Sequence, residues 1–207
     1  MEIILSLLIG IGLSATSGFR VFVPLLIMSI ASLSGHLEFS HGFQWIGSYP
    51  ALVIFLVATV IEVLAYFIPY LDNILSLISS PVSVIAGIII TASVVTGMSP
   101  LLTWTLAVIA GGGFSLAGKV TSNVVHTGST TMTGGSANLG VSFVETVIST
   151  VMAVLSVLFP LLVILFVGII GWVLAKMMKK MKPGSSQDFT SPLKPWAYSS
   201  PLRPALP

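Results

Sequence analysis

The stretch "IGLSATSGFRVFVPLL" (Ile11–Leu26) sets a permanent charge, Arg20, inside a run that otherwise reads as membrane-spanning hydrocarbon. Just before it, "SATSG" (Ser14–Gly18) strings together small, hydroxylated and helix-weakening residues. A helix break there would leave backbone N–H and C=O groups without intrahelical partners, and lipid supplies none. The break must therefore face protein or a wet cavity. An arginine at bilayer depth has the same requirement, so Arg20 is expected to point inward.

The rest of the chain has the same character. Of 207 residues, 55% are hydrophobic and only 7% charged, too few to cover a water-soluble shell. The expected class is an all-α, polytopic transmembrane protein. A hydrocarbon core of ~30 Å takes about 20 apolar residues, and such segments run over Ile3–Leu33, Pro50–Ile68, Pro81–Gly97, Pro100–Val125 and Leu139–Met178. The last would be about 60 Å long as one helix, so it is expected to break, with Pro160 as the place. That gives about six spans over a domain of residues 1–182. "SGHLEFSHGFQWIGSYP" (Ser34–Pro50) and "HTGSTTMTGGSAN" (His126–Asn138) read as polar connections.

No cleaved signal peptide is read at the N-terminus. The cluster "KMMKKMK" (Lys176–Lys182) sets the expected orientation, a multi-pass protein of a cell membrane with a cytoplasmic C-terminus and, for six spans, a cytoplasmic N-terminus. Residues 183–207 repeat "SPLKP" as "SPLRP" and read as a proline-rich disordered tail, whose PxxP motifs could dock a partner.

An internal echo suggests how the domain is built. "GIGLSATSGFR" (Gly10–Arg20) and "AGGGFSLAGKV" (Ala110–Val120) each lead through glycines and small residues to Gly18 or Gly118 and then to a cation, Arg20 or Lys119. Each half, residues 1–97 and 98–182, also offers one acid within an apolar segment, Glu62 and Glu145. Three spans per half would make a 3+3 inverted repeat with interrupted helices at Ser14–Gly18 and Gly111–Gly118, a plan that transporters use for midplane sites.

The expected pathway residues are Arg20, Glu62, Lys119 and Glu145, with Gly18, Gly118 and Ser17 at the breaks. Two readings compete for them. In one they line the route of a small ion or polar solute, with the glutamates titrating or compensating. In the other they are ion-pair clamps of a non-transporting scaffold. His36, Glu38 and His41 read as solvated loop residues rather than a metal site, and His126 as a loop or interfacial histidine rather than a proton relay. GxSxG, HExxH and the P-loop ending are absent. No enzyme activity, cofactor, metal or nucleic-acid partner is expected. The bilayer and a small ion or solute are the expected partners. Small-residue pairs such as Ser83 with Gly87, and Gly168 with Gly171, would suit internal packing or a homo-oligomer.

Together, "GIGLSATSGFRVFVPLL", "IEVLAYFIPYLDN" (Ile61–Asn73) and a glycine-rich second half resemble a family of uncharacterised bacterial integral membrane proteins grouped as a domain of unknown function. Proteins of that kind carry a "GFR…P" opening and an "EVLAD-x-IP-x-x-D" segment. Tyr66 stands here in the place of the first aspartate. The resemblance covers residues 1–180 and implies a bacterial inner-membrane protein, without an activity.

Overall fold

The computed structural model describes residues 2–65, 69–133 and 138–163, with isolated positions from 165 to 176. Among them every regular element is helical. In order these are α1 (Glu2–Ser17), α2 (Phe22–Leu33), a 3₁₀ turn (Gln44–Gly47), α3 (Tyr49–Ala65), α4 (Pro69–Val94), α5 (Pro100–Leu106), a π-helical segment (Ala107–Gly112), α6 (Gly113–Thr133) and α7 (Asn138–Leu158). The lysine cluster other than Lys176, and the proline-rich tail, lie outside the described residues.

The opening stretch is interrupted, as expected, but slightly later. Ser14–Ser17 remain helical, and the chain turns at Gly18–Val21. Ser14, Thr16 and Ser17 each bond a hydroxyl back to the carbonyl three residues earlier, which competes with regular helix. The turn then closes with Phe19 and Arg20 both donating their backbone N–H to Thr16 O, at 3.0 and 3.1 Å.

Past the turn, the chain departs from the expectation. Ile3–Leu33 is not one interrupted crossing but a hairpin, as contacts with α4 and α7 establish. α1 runs antiparallel to α4, since Thr91 Oγ1 bonds Gly10 O while Ser17 Oγ lies 3.3 Å from Ser83 O. It is also antiparallel to α7, since Ser149 Oγ bonds Thr16 O and Ser156 lies against Gly12. In contrast α2 runs with α7: Arg20 bonds Ser142 O, and Ile30 and Ala31 share a groove with Val154 and Val157. α2 therefore returns to the end from which α1 entered. The hairpin tip ends at mid-height, because α6 continues past it from Lys119 to Thr133.

This hairpin overturns the inverted relation expected between the echoing segments. Gly111 packs on Gly87 and Thr91, and Ser115 Oγ bonds Ser83 O, so the π segment and α6 also run antiparallel to α4. They are thus parallel to α1. The first segment goes in and comes back, so it contributes no reversal of direction. The second expected break, at Gly111–Gly118, is likewise absent. In its place the π segment widens the helix and α6 runs unbroken through Gly118. Its glycines serve close packing: a Cβ on Gly111 would collide with Gly87 O and Thr91 Oγ1.

Two further expectations resolve plainly. Pro160 ends α7, and the turn bonds Leu162 N–H to Phe159 O and Val163 N–H to Pro160 O bring Val163 back against Gly12. The supposed polar connection from His126 is helical as far as Thr133, with Thr127, Thr130 and Thr133 hydroxyls bonded to carbonyls four residues back.

Two helical stretches, Pro100–Thr131 and Gly140–Leu158, are long and apolar enough to cross a membrane, and four shorter helices are apolar as well. The bundle's outer surface is greasy: on α3 alone Val53, Ile54, Leu56, Val57, Val60, Ile61 and Leu64 are exposed. Between the hairpin arms and their neighbours lies a dry core of Leu13, Met28, Ile46, Ile90, Val94 and Ala153.

Candidate functional site

The hairpin tip gathers the sequence-predicted residues. Arg20 is 1% exposed, and its Nη2 donates to Ser142 O on α7 at 2.6 Å. Glu62, on α3, is buried against the start of α2. Its Oε1 accepts the backbone N–H of Val21 at 2.8 Å and its Oε2 that of Phe22 at 3.1 Å. The first turn of a helix has four donors without intrahelical acceptors. Glu62 takes two of them, and Pro24, in that same turn, has no N–H to satisfy. The carboxylate also meets the positive end of the α2 dipole, and the fields of Arg20 and then Lys119 reach it.

Gly18 and Gly118 make the tip possible. A Cβ on Gly18 would strike Ser115 O and the backbone of Lys119, and one on Gly118 would strike Ala15 O. That close crossing of α1 and α6 buries Lys119 beside the tip and aligns the hydroxyls below it. Ser17 Oγ stands 3.0 Å from Ser115 Oγ, which donates to Ser83 O at 2.6 Å. Ser115 and Ser142 are site residues that sequence reasoning did not single out, and Ser83 stood there only as a packing residue. Their signal was spacing: Ser115, Lys119, Ser122 and His126 recur every three or four positions along one face of α6.

Glu145 takes a partner other than the cations expected for it. Its Oε2 lies 3.0 Å from His126 Nε2, the histidine being 20% exposed and the acid 7%. Its Oε1 is buried with no hydrogen-bond partner among the described residues. His126 is thus a helical residue paired across α6 and α7, where a loop or interfacial residue was expected. On α7 the buried Glu145 meets His126 of α6, while the buried Ser142 and Ser149 meet the hairpin, through Arg20 and Thr16 O. A polar seam results, leading from the partly exposed His126 to the hairpin tip. Beyond the tip, toward the hairpin mouth, the dry core takes over.

Beside Glu62, a cavity of about 370 Å³ is lined by Val21, Phe22, Ala58, Ile61, Ile78 and Val82 among others. His36, Glu38 and His41 are all exposed in the loop after α2. No cluster of metal-ligating side chains occurs among the described residues.

No curated protein and no solved structure matches the chain. The family described as a domain of unknown function (DUF4126) matches residues 7–180, most of the chain, and it is to this family that the protein belongs.

Proposed function

We propose that the protein is a multi-pass membrane protein that passes a small ion or small polar solute across a bacterial inner membrane through a site at the tip of the α1–α2 hairpin. One observation carries this reading: a helix interruption at mid-bundle, with Arg20, Glu62 and Lys119 buried around it. Charge at that depth is costly and tends to be kept for a pathway. The seam toward His126 and the cavity at Glu62 supply approaches to the tip.

In this reading the hairpin dips in and returns, α3, α4, the stretch from α5 through α6, and α7 cross, and the apolar sequence of residues 161–178 has the length for one more crossing. The basic cluster Lys176–Lys182 holds the C-terminus in the cytoplasm. The hairpin mouth then faces outward and His126 faces the cytoplasm. No nucleotide motif is present in the sequence, so movement follows a gradient.

Purified protein in liposomes tests the proposal, using radiolabelled small ions and polar solutes. Uptake above protein-free vesicles, lost in Lys119→Met protein that still elutes as a folded species, supports it. The competing scaffold reading has its own observation, since both Glu62 oxygens are engaged by backbone donors as in a clamp. Absence of uptake for every solute, with Lys119→Met altering only stability, would favour the scaffold.

A further inference from the structure

Glu145 and His126 form a pair that the tip site does not use. The imidazole reaches the surface, the carboxylate is nearly enclosed, and they touch at 3.0 Å. Together they bridge α6 and α7 where the polar seam meets the exterior. The free Oε1 of Glu145 is the second relevant fact. A buried carboxylate oxygen without a donor is a polar atom still open to a hydrogen or a cation. One partner is a histidine, and among the described residues no oxygen cage surrounds the acid, so a proton fits better than a metal cation.

We propose that His126 and Glu145 are a proton-loading site, through which protons enter the seam from the His126 side. This rests on the passage proposed above and names its coupling ion. The transfer is balanced within the pair. A solvent proton binds imidazole Nδ1, the Nε2–H bond breaks as Glu145 Oε2–H forms, and the imidazole is left neutral with its proton on Nδ1. Return of the imidazole to its starting tautomer resets the relay. Glu145, now neutral, lies one helical turn from Ser142, whose carbonyl holds Arg20. A change of charge at Glu145 is therefore felt at the tip.

The surrounding charges are consistent with a local proton site. Arg20 approaches from the hairpin and Lys119 lies two turns back on α6. Glu62 comes from α3, and its carboxylate is committed to the start of α2. α4 presents no titratable side chain among those described. Both cations lie inward of Glu145, so a proton dwells at the pair before it moves on past the tip.

Two measurements decide the matter. Liposomes holding a pH dye, with a valinomycin-set potassium potential, report proton entry. Wild-type protein should acidify the interior, and Glu145→Gln and His126→Gln should fall to the protein-free level. Independently, infrared titration of the purified protein should show a protonated-carboxyl band that is absent in Glu145→Gln and displaced in pH in His126→Gln. An infrared spectrum unchanged by Glu145→Gln overturns the proposal even where a variant transports poorly. Solute uptake with neither proton effect removes the relay but leaves the passage standing. A Glu145 band in a protein that carries no solute keeps the proton site and removes the passage.

Discussion

Gly18 and Gly118 meet backbone to backbone, and a methyl group on either would run into main-chain atoms of the opposing helix. Backbone cannot rotate away as a side chain can, so relief requires α1 and α6 to separate. Gly118→Ala should therefore lower stability by about 1–3 kcal/mol, the usual range for overpacking. Gly128, on the same helix, faces open space. There the alanine gains helix propensity, and Gly128→Ala should be neutral or stabilising by about 0.5–1 kcal/mol. Thermal unfolding of both variants in detergent checks the contrast, and equal effects would refute it.

Glu62 should behave as a helix cap as well as a charge. Alanine at this position strands the N–H groups of Val21 and Phe22, whereas glutamine can still accept from one of them. Hydrogen bonds to charged groups contribute about 1.5–3 kcal/mol. The expected order of stability is wild type, then Glu62→Gln, then Glu62→Ala. Hydrogen exchange at the start of α2 should rise in the same order.

Arg20 and Glu62 should also prove energetically coupled, although Arg20 donates to Ser142 O while Glu62 accepts from the start of α2. Removing the guanidinium takes away the positive field that reaches the Glu62 carboxylate. Arg20→Met and Glu62→Gln should each destabilise, and the double variant should lose less than the sum by about 0.5–3 kcal/mol. Strict additivity in a double-mutant cycle would show that the two charges do not sense each other.

Much of this site was legible in the sequence because intramembrane charge has few physical solutions. Arg20, Glu62, Lys119 and Glu145 had to turn inward, and all four are buried. The stop at Pro160 was equally forced by the missing backbone donor. The hairpin was not legible, since its turn takes only Gly18–Val21 and both flanks are apolar. Hydropathy measures length of hydrocarbon, not direction, so Ile3–Leu33 reads as one crossing. From that single miscount came the inverted repeat. Glycines misled in the other direction, because Gly111 and Gly118 signal close approach of helices as readily as a break. The cap by Glu62 depends on α3 meeting the α2 start, a tertiary fact with no local trace.

The polarity of the seam can be read directly, because the chain contains no cysteine and any introduced thiol is the sole reporter. Ser122 lies on the seam between Lys119 and His126, one turn from the surface, while Met28 sits in the dry core on the hairpin side. His126→Cys should react readily with a charged, water-soluble thiol reagent, and Ser122→Cys more slowly but measurably. Met28→Cys should stay unmodified until the protein is unfolded, since Met28 is fully buried in the cluster of Leu13, Ile46, Ile90 and Val94. A reagent confined to one face of sealed vesicles should reach His126→Cys and Ser122→Cys from the same side. Were Met28→Cys to label as fast as Ser122→Cys, water would reach the apolar half equally, and a seam that ends at the tip would be the wrong description of this bundle.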